Sequence, residues 1–159
     1  MMALLFKVKD DRFGLNVVNI VEVIPSVSLQ KIPRAPAYVA GLLNYRGAVV
    51  PVVDLGQLID CQPVRVCLSS RIILVKTENS GRVGLLAEGV TETIKVDDAD
   101  FTNTKMDSDM GWLVDKVAID SEGMIQHINP DVIVPDELNK MMEDGHICAL
   151  APEDVSNAQ

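Results

Sequence analysis

The chain has 159 residues, 48% hydrophobic, 23% charged and only 4% aromatic, with a net charge of −9 from 14 basic and 23 acidic residues. A chain this long buries about 68–70% of the surface its unfolded form exposes, so folding requires neither metal nor disulfide, and Val, Ile and Leu must supply the core. The acidic balance argues against nucleic acid and anionic membrane surfaces, and no run reaches the ~18–20 apolar residues of a membrane span, so a cytoplasmic protein without membrane insertion is expected.

In chain order, Leu4, Phe6 and Val8 alternate with polar positions and predict a strand over 3–9. Lys7 and Lys9 interrupt the run, which argues against a signal peptide. After Asp10-Asp11 come predicted strands 12–16 and 20–27. Pro36 to Ala40 reads as one short helical turn, followed by strands 42–46 and 48–53. A short helix is predicted over 54–59 with Asp54 as its N-cap. Strands 71–77, 81–88, 93–96, 111–119 and 123–128 follow, with Asn79-Ser80-Gly81 and Ser121-Glu122-Gly123 as hairpin turns. Pro135 to Asp144 carries the strongest helix signal: Pro135 and Asp136 suit its start, Leu138, Met141 and Met142 form an apolar face, and Gly145 suits its end. Residues 151–159 read as a frayed tail. Regular spacing of short strands and turns predicts an all-β barrel or sandwich.

Motifs for catalysis and metal binding fail on inspection. Gly84 and Gly89 have P-loop spacing, but Val90-Thr91 stands where Lys-Ser/Thr is required. Asp107, Asp109 and Gly111 are out of register for a calcium loop, and Ala118 occupies the place of the bidentate glutamate. His127 and His146 have no His or Cys at ligand spacing, which leaves them as surface or satisfied histidines. Cys61, Cys67 and Cys148 are odd in number and form no Cys-x-x-Cys pair, so inert thiols are expected. No Gly-x-Ser-x-Gly elbow is present. No cofactor and no enzymatic activity are expected.

The most distinctive stretch is Gly41-Leu42-Leu43-Asn44-Tyr45-Arg46-Gly47, then Ala48-Val49-Val50 and Pro51-Val52-Val53-Asp54-Leu55. Two apolar runs flank a polar corner of Asn44, Arg46 and Gly47. A permanently charged guanidinium has no use in a core strand. At a corner it either pairs with a local carboxylate, Asp54 or Glu22, or is displayed to a partner. Gly41 and Gly47 allow unusual backbone angles and close approach of another backbone. Asn44 reads as bonding to neighbouring main chain.

These residues resemble the central segment of the CheW family of signalling adaptors, whose typical form is Gly-x-x-Asn-x-Arg-Gly, two to four apolar residues, then Pro-x-x-Asp-Leu. The resemblance continues upstream through Phe13-Gly14-Leu15, Ile20-Val21-Glu22-Val23-Ile24, Ile32-Pro33 and Pro36-Ala37. Downstream it is a looser pattern through 71–75, 84–90 and Ile94, and it covers residues 3–135 in all. Residues 84–93 and 122–126 look most like adaptors of Wsp-type surface-sensing pathways.

The resemblance implies two intertwined five-stranded SH3-like barrels that share strands, with a short C-terminal helix. They would form a single CheW-like domain over 1–150, with a flexible tail at 151–159. It implies a non-enzymatic adaptor coupling the cytoplasmic tip of a methyl-accepting chemotaxis receptor to the regulatory domain of a CheA-type histidine kinase. Arg46 would take part in contacts among receptor, kinase and adaptor. Ile20, Glu22 and Leu29, with the 41–47 corner, would hold the kinase domain, although Ile20 and Leu29 also read as ordinary core. Val90, otherwise a plain core valine, would line with Arg46 a groove for the receptor tip. Tyr45 departs from a frequent Leu and bears on receptor choice, and Trp112 reads as the cover of a barrel end. The competing expectation, from a different class, is a small β-barrel ligand- or metal-binding domain using the acidic loop 97–109.

Overall fold

The computed structural model describes residues 1–65, 67–78, 81–103 and 113–133. Among them the chain forms β1 (Met2–Val8), β2 (Asp11–Asn16), β3 (Ile20–Pro25), β4 (Val39–Tyr45), β5 (Ala48–Asp54), α1 (Leu55–Asp60), β6 (Arg71–Thr77), β7 (Gly81–Lys95), β8 (Phe101–Asn103), β9 (Val114–Asp120) and β10 (Gly123–Ile128). The predicted helix Pro135 to Asp144, Trp112, His146, Cys148 and the tail lie outside the described residues.

The ladders divide into two sheets with one strand in common. The first half of β7 pairs antiparallel with β6 and parallel with β5, whose other neighbour is β4, while β3 pairs with β6. The second half of β7 pairs with β1, which leads on to β2, β10, β9 and β8. Sharing of strands is what the family resemblance implies, and here β7 is the shared one. The segment after β3 returns to β4 through a two-way bridge, with Gln30 N donating to Leu42 O at 3.0 Å and Leu42 N to Gln30 O at 2.7 Å.

Residue choice explains this layout. Ile72, Ile73, Leu74 and Val75 of β6 are all fully buried, as the unbroken apolar run requires when both faces of a strand are covered. Leu15, Val53, Ile73, Leu85 and Ile128 belong to one apolar cluster that draws on both sheets. Leu43, Val50, Val52, Ile72, Leu74 and Leu86 form a second cluster on the other face of the β3–β6–β7–β5–β4 sheet. Phe6 and Phe13 stack at 5.8 Å across β1 and β2, so two of the few aromatics reinforce one ladder.

Several boundaries depart from the sequence reading for local reasons. Strands predicted at 81–88 and 93–96 are one fifteen-residue strand. The five residues of β7 from Glu88 to Glu92 stand against the three of β1 from Leu5 to Lys7, so a bulge carries the strand across Gly89 without ending it. Pro36 to Ala40 holds only a turn, closed by Val39 N donating to Pro36 O at 2.9 Å, and Val39 already starts β4. β3 stops at Pro25, short of 27, because a proline cannot donate to a further ladder bond. β8 was not predicted from sequence. Asp54 does cap α1, its carboxylate accepting from Gln57 N at 3.1 Å and Val64 N at 3.2 Å.

One surface pair ties β2 to the end of β9. Arg12 donates from Nη1 and Nη2 to the two carboxylate oxygens of Asp120 at 2.7 and 2.9 Å. The Arg12 hydrogen bond holds the Asp120 carboxyl below its ordinary range. A depressed acid stabilises the fold above its unfolded value of about 3.9 and loses that contribution as pH falls through the folded value. Asp120→Asn should therefore lower stability at neutral pH by up to about 1 kcal/mol, since the pair is partly exposed and screened. Thermal melts of both proteins should converge once the pH falls below the depressed folded value, where the wild-type carboxyl is also neutral.

Candidate functional site

The chain turns between β4 and β5 in two residues. Arg46 and Gly47 have φ of 50° and 84°, the pair of positive angles of a type I′ hairpin turn. Gly47 supplies this conformation without steric cost, and a Cβ added there would meet nothing within 4 Å. Arginine in the left-handed region costs about 1–2 kcal/mol, so the local fold gains nothing from its presence. Asn44 braces the turn, its Oδ1 accepting from Gly47 N at 3.1 Å, which is the main-chain role expected of it.

At this rigid tip the Arg46 side chain is 77% exposed. Its Nη2 lies 3.8 Å from Glu22 Oε2, the outer limit of an ion pair, and its guanidinium lies over the Tyr45 ring at 5.3 Å. The Tyr45 hydroxyl donates to the same Glu22 oxygen. That bond holds the Tyr45 phenol above its ordinary range, with burial adding to the effect. Of the two local carboxylates, Glu22 is the neighbour, while Asp54 is buried at the N-terminus of α1. The tyrosine bridges β4 and β3, the two strands that pair with only one neighbour each in this sheet.

A fourth member was not visible in the sequence. Arg82, exposed at the start of β7, brings its guanidinium to 5.7 Å from the same Tyr45 ring. Nothing in the local sequence links Arg82 to Tyr45, because the contact exists only once the hairpins are assembled.

The other candidates are placed differently. Ile20 and Leu29 are half-buried, packed respectively against the shared cluster and the second cluster, so most of their surface is spent on the core. The apolar side chains exposed nearby are Val21 and Val23, facing away from Glu22 on β3, and Val49, which pairs with Asn44. Period-two alternation in Ile20-Val21-Glu22-Val23-Ile24 is the signal that separates the two faces. Gly41 is buried. A Cβ there would meet Gln30 O at 2.7 Å and Leu29 Cβ at 2.9 Å, so the close backbone approach at Gly41 is made by the chain itself, not by a visitor.

Val90 does not share a groove with Arg46. In the parallel pair, Val52 of β5 stands level with Gly84 of β7. The 46–47 turn precedes β5, whereas Val90 lies beyond Gly84 toward the other end, so the two occupy opposite ends of the sheet. Val90 is half-buried against the shared cluster. Close by, a cavity of about 230 Å³ opens among Lys7, Gly56, Pro63, Arg65 and Glu88. Arg65 and Glu88 pair across it at 2.8 Å.

Elsewhere, His127 is buried, its Nδ1 2.6 Å from Asp115. Cys61 and Cys67 are exposed free thiols. Among the described residues no three His, Cys, Asp or Glu side chains converge as metal ligands, and residues 104–109 of the acidic loop lie outside them. No described helix is long and apolar enough to cross a membrane.

The family model for the CheW-like domain matches residues 2–138. The chain is 33% identical over 99 residues to the chemotaxis protein CheW of Rhizobium meliloti, a match covering 62% of this chain and 63% of that protein. It is 24% identical over 139 residues to the chemotaxis protein CheW of Thermotoga maritima, covering 87% and 85% of the two chains. The crystal structure of the scaffolding protein TtCheW from Thermoanaerobacter tengcongensis superposes with a TM-score of 0.74 at 27% identity, covering 81% of this chain and 84% of that one. The match to the Rhizobium meliloti protein spans just under two thirds of that relative's length.

Proposed function

The chain belongs to the CheW-like family, and from that premise we propose that it is a non-enzymatic cytoplasmic adaptor coupling the cytoplasmic tip of a methyl-accepting receptor to a CheA-type histidine kinase. The observation that carries the proposal is Arg46: a cation held at a conformationally costly turn, 77% exposed and barely paired. The surface around Glu22, Asn44, Tyr45, Arg46 and Gly47, with the exposed parts of Ile20 and Leu29, holds the kinase's regulatory domain. The separate end near Val90, beside the cavity among Lys7, Gly56, Pro63, Arg65 and Glu88, holds the receptor tip as a helical hairpin. Gly41 supports the first surface from beneath, by letting residues 29 and 30 lie against β4.

The separation of the two ends supports this division, since two partners are bridged only if their sites do not overlap. One rigid body then joins weak contacts through effective concentration. The test is pull-down of this chain with a receptor cytoplasmic fragment and with a kinase regulatory domain, both from the same genome. Each is expected to be retained by the wild-type protein. Val90→Glu should release the receptor fragment alone, and loss of the kinase domain instead would reverse the assignment of the two ends.

A further inference from the structure

The Glu22–Tyr45 corner contains more positive charge than it neutralises. Arg46 and Arg82 both lie within 6 Å of the Tyr45 ring centre, at 5.3 and 5.7 Å. Among the described residues Glu22 is the one carboxylate in contact with the group, and its Oε2 already accepts from the tyrosine hydroxyl. Among the described residues no carboxylate forms an ion pair with Arg82. The corner therefore carries a local charge of +1, two guanidiniums less one carboxylate, on a chain whose total is −9.

Building on the adaptor reading, we infer that Arg82 is a second docking cation and that Tyr45, Arg46 and Arg82 together receive a carboxylate-bearing segment of the kinase regulatory domain. Guanidiniums cannot be deprotonated in proteins and present paired donors that match a carboxylate. Stacking on the ring limits the freedom of both side chains before the partner arrives, so less ordering remains to be done on binding. Glu22 meets Arg46 only through one long ion pair of 3.8 Å, so most guanidinium donors of both arginines stay open to an incoming acid. Phosphate-rich partners fit poorly, because the acidic remainder of the chain repels a long anionic polymer, whereas a short acidic protein segment meets only the corner.

The experiment measures affinity of the full chain for the kinase regulatory domain from the same genome by calorimetry, between about 50 and 300 mM salt. Arg82→Glu is expected to weaken binding about tenfold or more, and Arg82→Gln by a few-fold with a shallower salt dependence. Lys95→Glu, the same charge change at the far end of β7, should leave affinity within about twofold. Thermal melts of each variant check that the fold is kept. If Arg46→Glu loses binding while both Arg82 variants stay within about twofold of wild type, Arg82 is not part of the surface, and the adaptor reading stands without it. If Lys95→Glu weakens binding as much as Arg82→Glu, the effect is general charge and the inference fails. If wild type does not bind the kinase domain at all, the kinase-docking reading and the inference fall together.

Discussion

Arg46→Glu should abolish capture of the kinase regulatory domain while moving the melting temperature by no more than about 3 °C, as expected for an exposed side chain in a domain of this size. The guanidinium makes one long ion pair with Glu22 and one stacking contact with Tyr45, so the fold loses little when it goes. The reversed charge, by contrast, faces any incoming carboxylate directly, and like charges across an interface cost several kcal/mol. A second substitution separates docking from folding. Arg46→Asn places the residue most at ease with positive φ before Gly47 and should stabilise the hairpin by about 0.5–1 kcal/mol, while also losing the partner. A position where a more stable protein binds worse is one whose residue serves docking and not folding. Melting curves and pull-downs on the same preparations read both effects.

The largest loss of stability is expected from Leu85→Ala. Leu85 is fully buried in the shared strand β7 and belongs to the apolar cluster that draws on both sheets. Truncating it removes transfer free energy and leaves a cavity, together about 2–5 kcal/mol. Because β7 pairs with β1, β5 and β6, the two sheets cannot separate without breaking its ladders. The variant should melt in a single transition at lower temperature, by both far-ultraviolet circular dichroism and calorimetry. Two resolved transitions would mean that the sheets fold independently and that β7 does not couple them.

The strands were legible where a residue's neighbours in sequence decide its environment. Ile72 to Val75 read as a strand because an unbroken branched run suits burial on both faces, and Asp54 read as a cap because a donor to its carboxylate, Gln57 N, lies in the first turn that follows it. Phe101 to Asn103 became β8 only through pairing with β9, opposite Ala118, Val117 and Lys116, and three residues after an aspartate-rich run give no warning of that. The break expected near Gly89 vanished because β1 offered the bulged strand continued hydrogen bonds. The site divides in the same way. Arg46 and Gly47 stood out as a polar corner between apolar runs. Arg82 did not, since its approach to Tyr45 depends on bringing β4 and β7 together through β5. The shared groove expected for Arg46 and Val90 failed for a related reason: the parallel register of β5 and β7 sends them to opposite ends, and register between distant strands is not written in either strand alone.

The adaptor role rests on simultaneous occupation of two separate surfaces, and mass measurement by light scattering after gel filtration of a three-component mixture tests that directly. With receptor fragment and kinase regulatory domain both in excess, the chain should elute in one species whose mass is the sum of all three, and Arg46→Glu should reduce it to the receptor-bound pair. Only binary complexes, with one partner displacing the other as its concentration rises, would show that the two compete for one surface and that the chain does not bridge them.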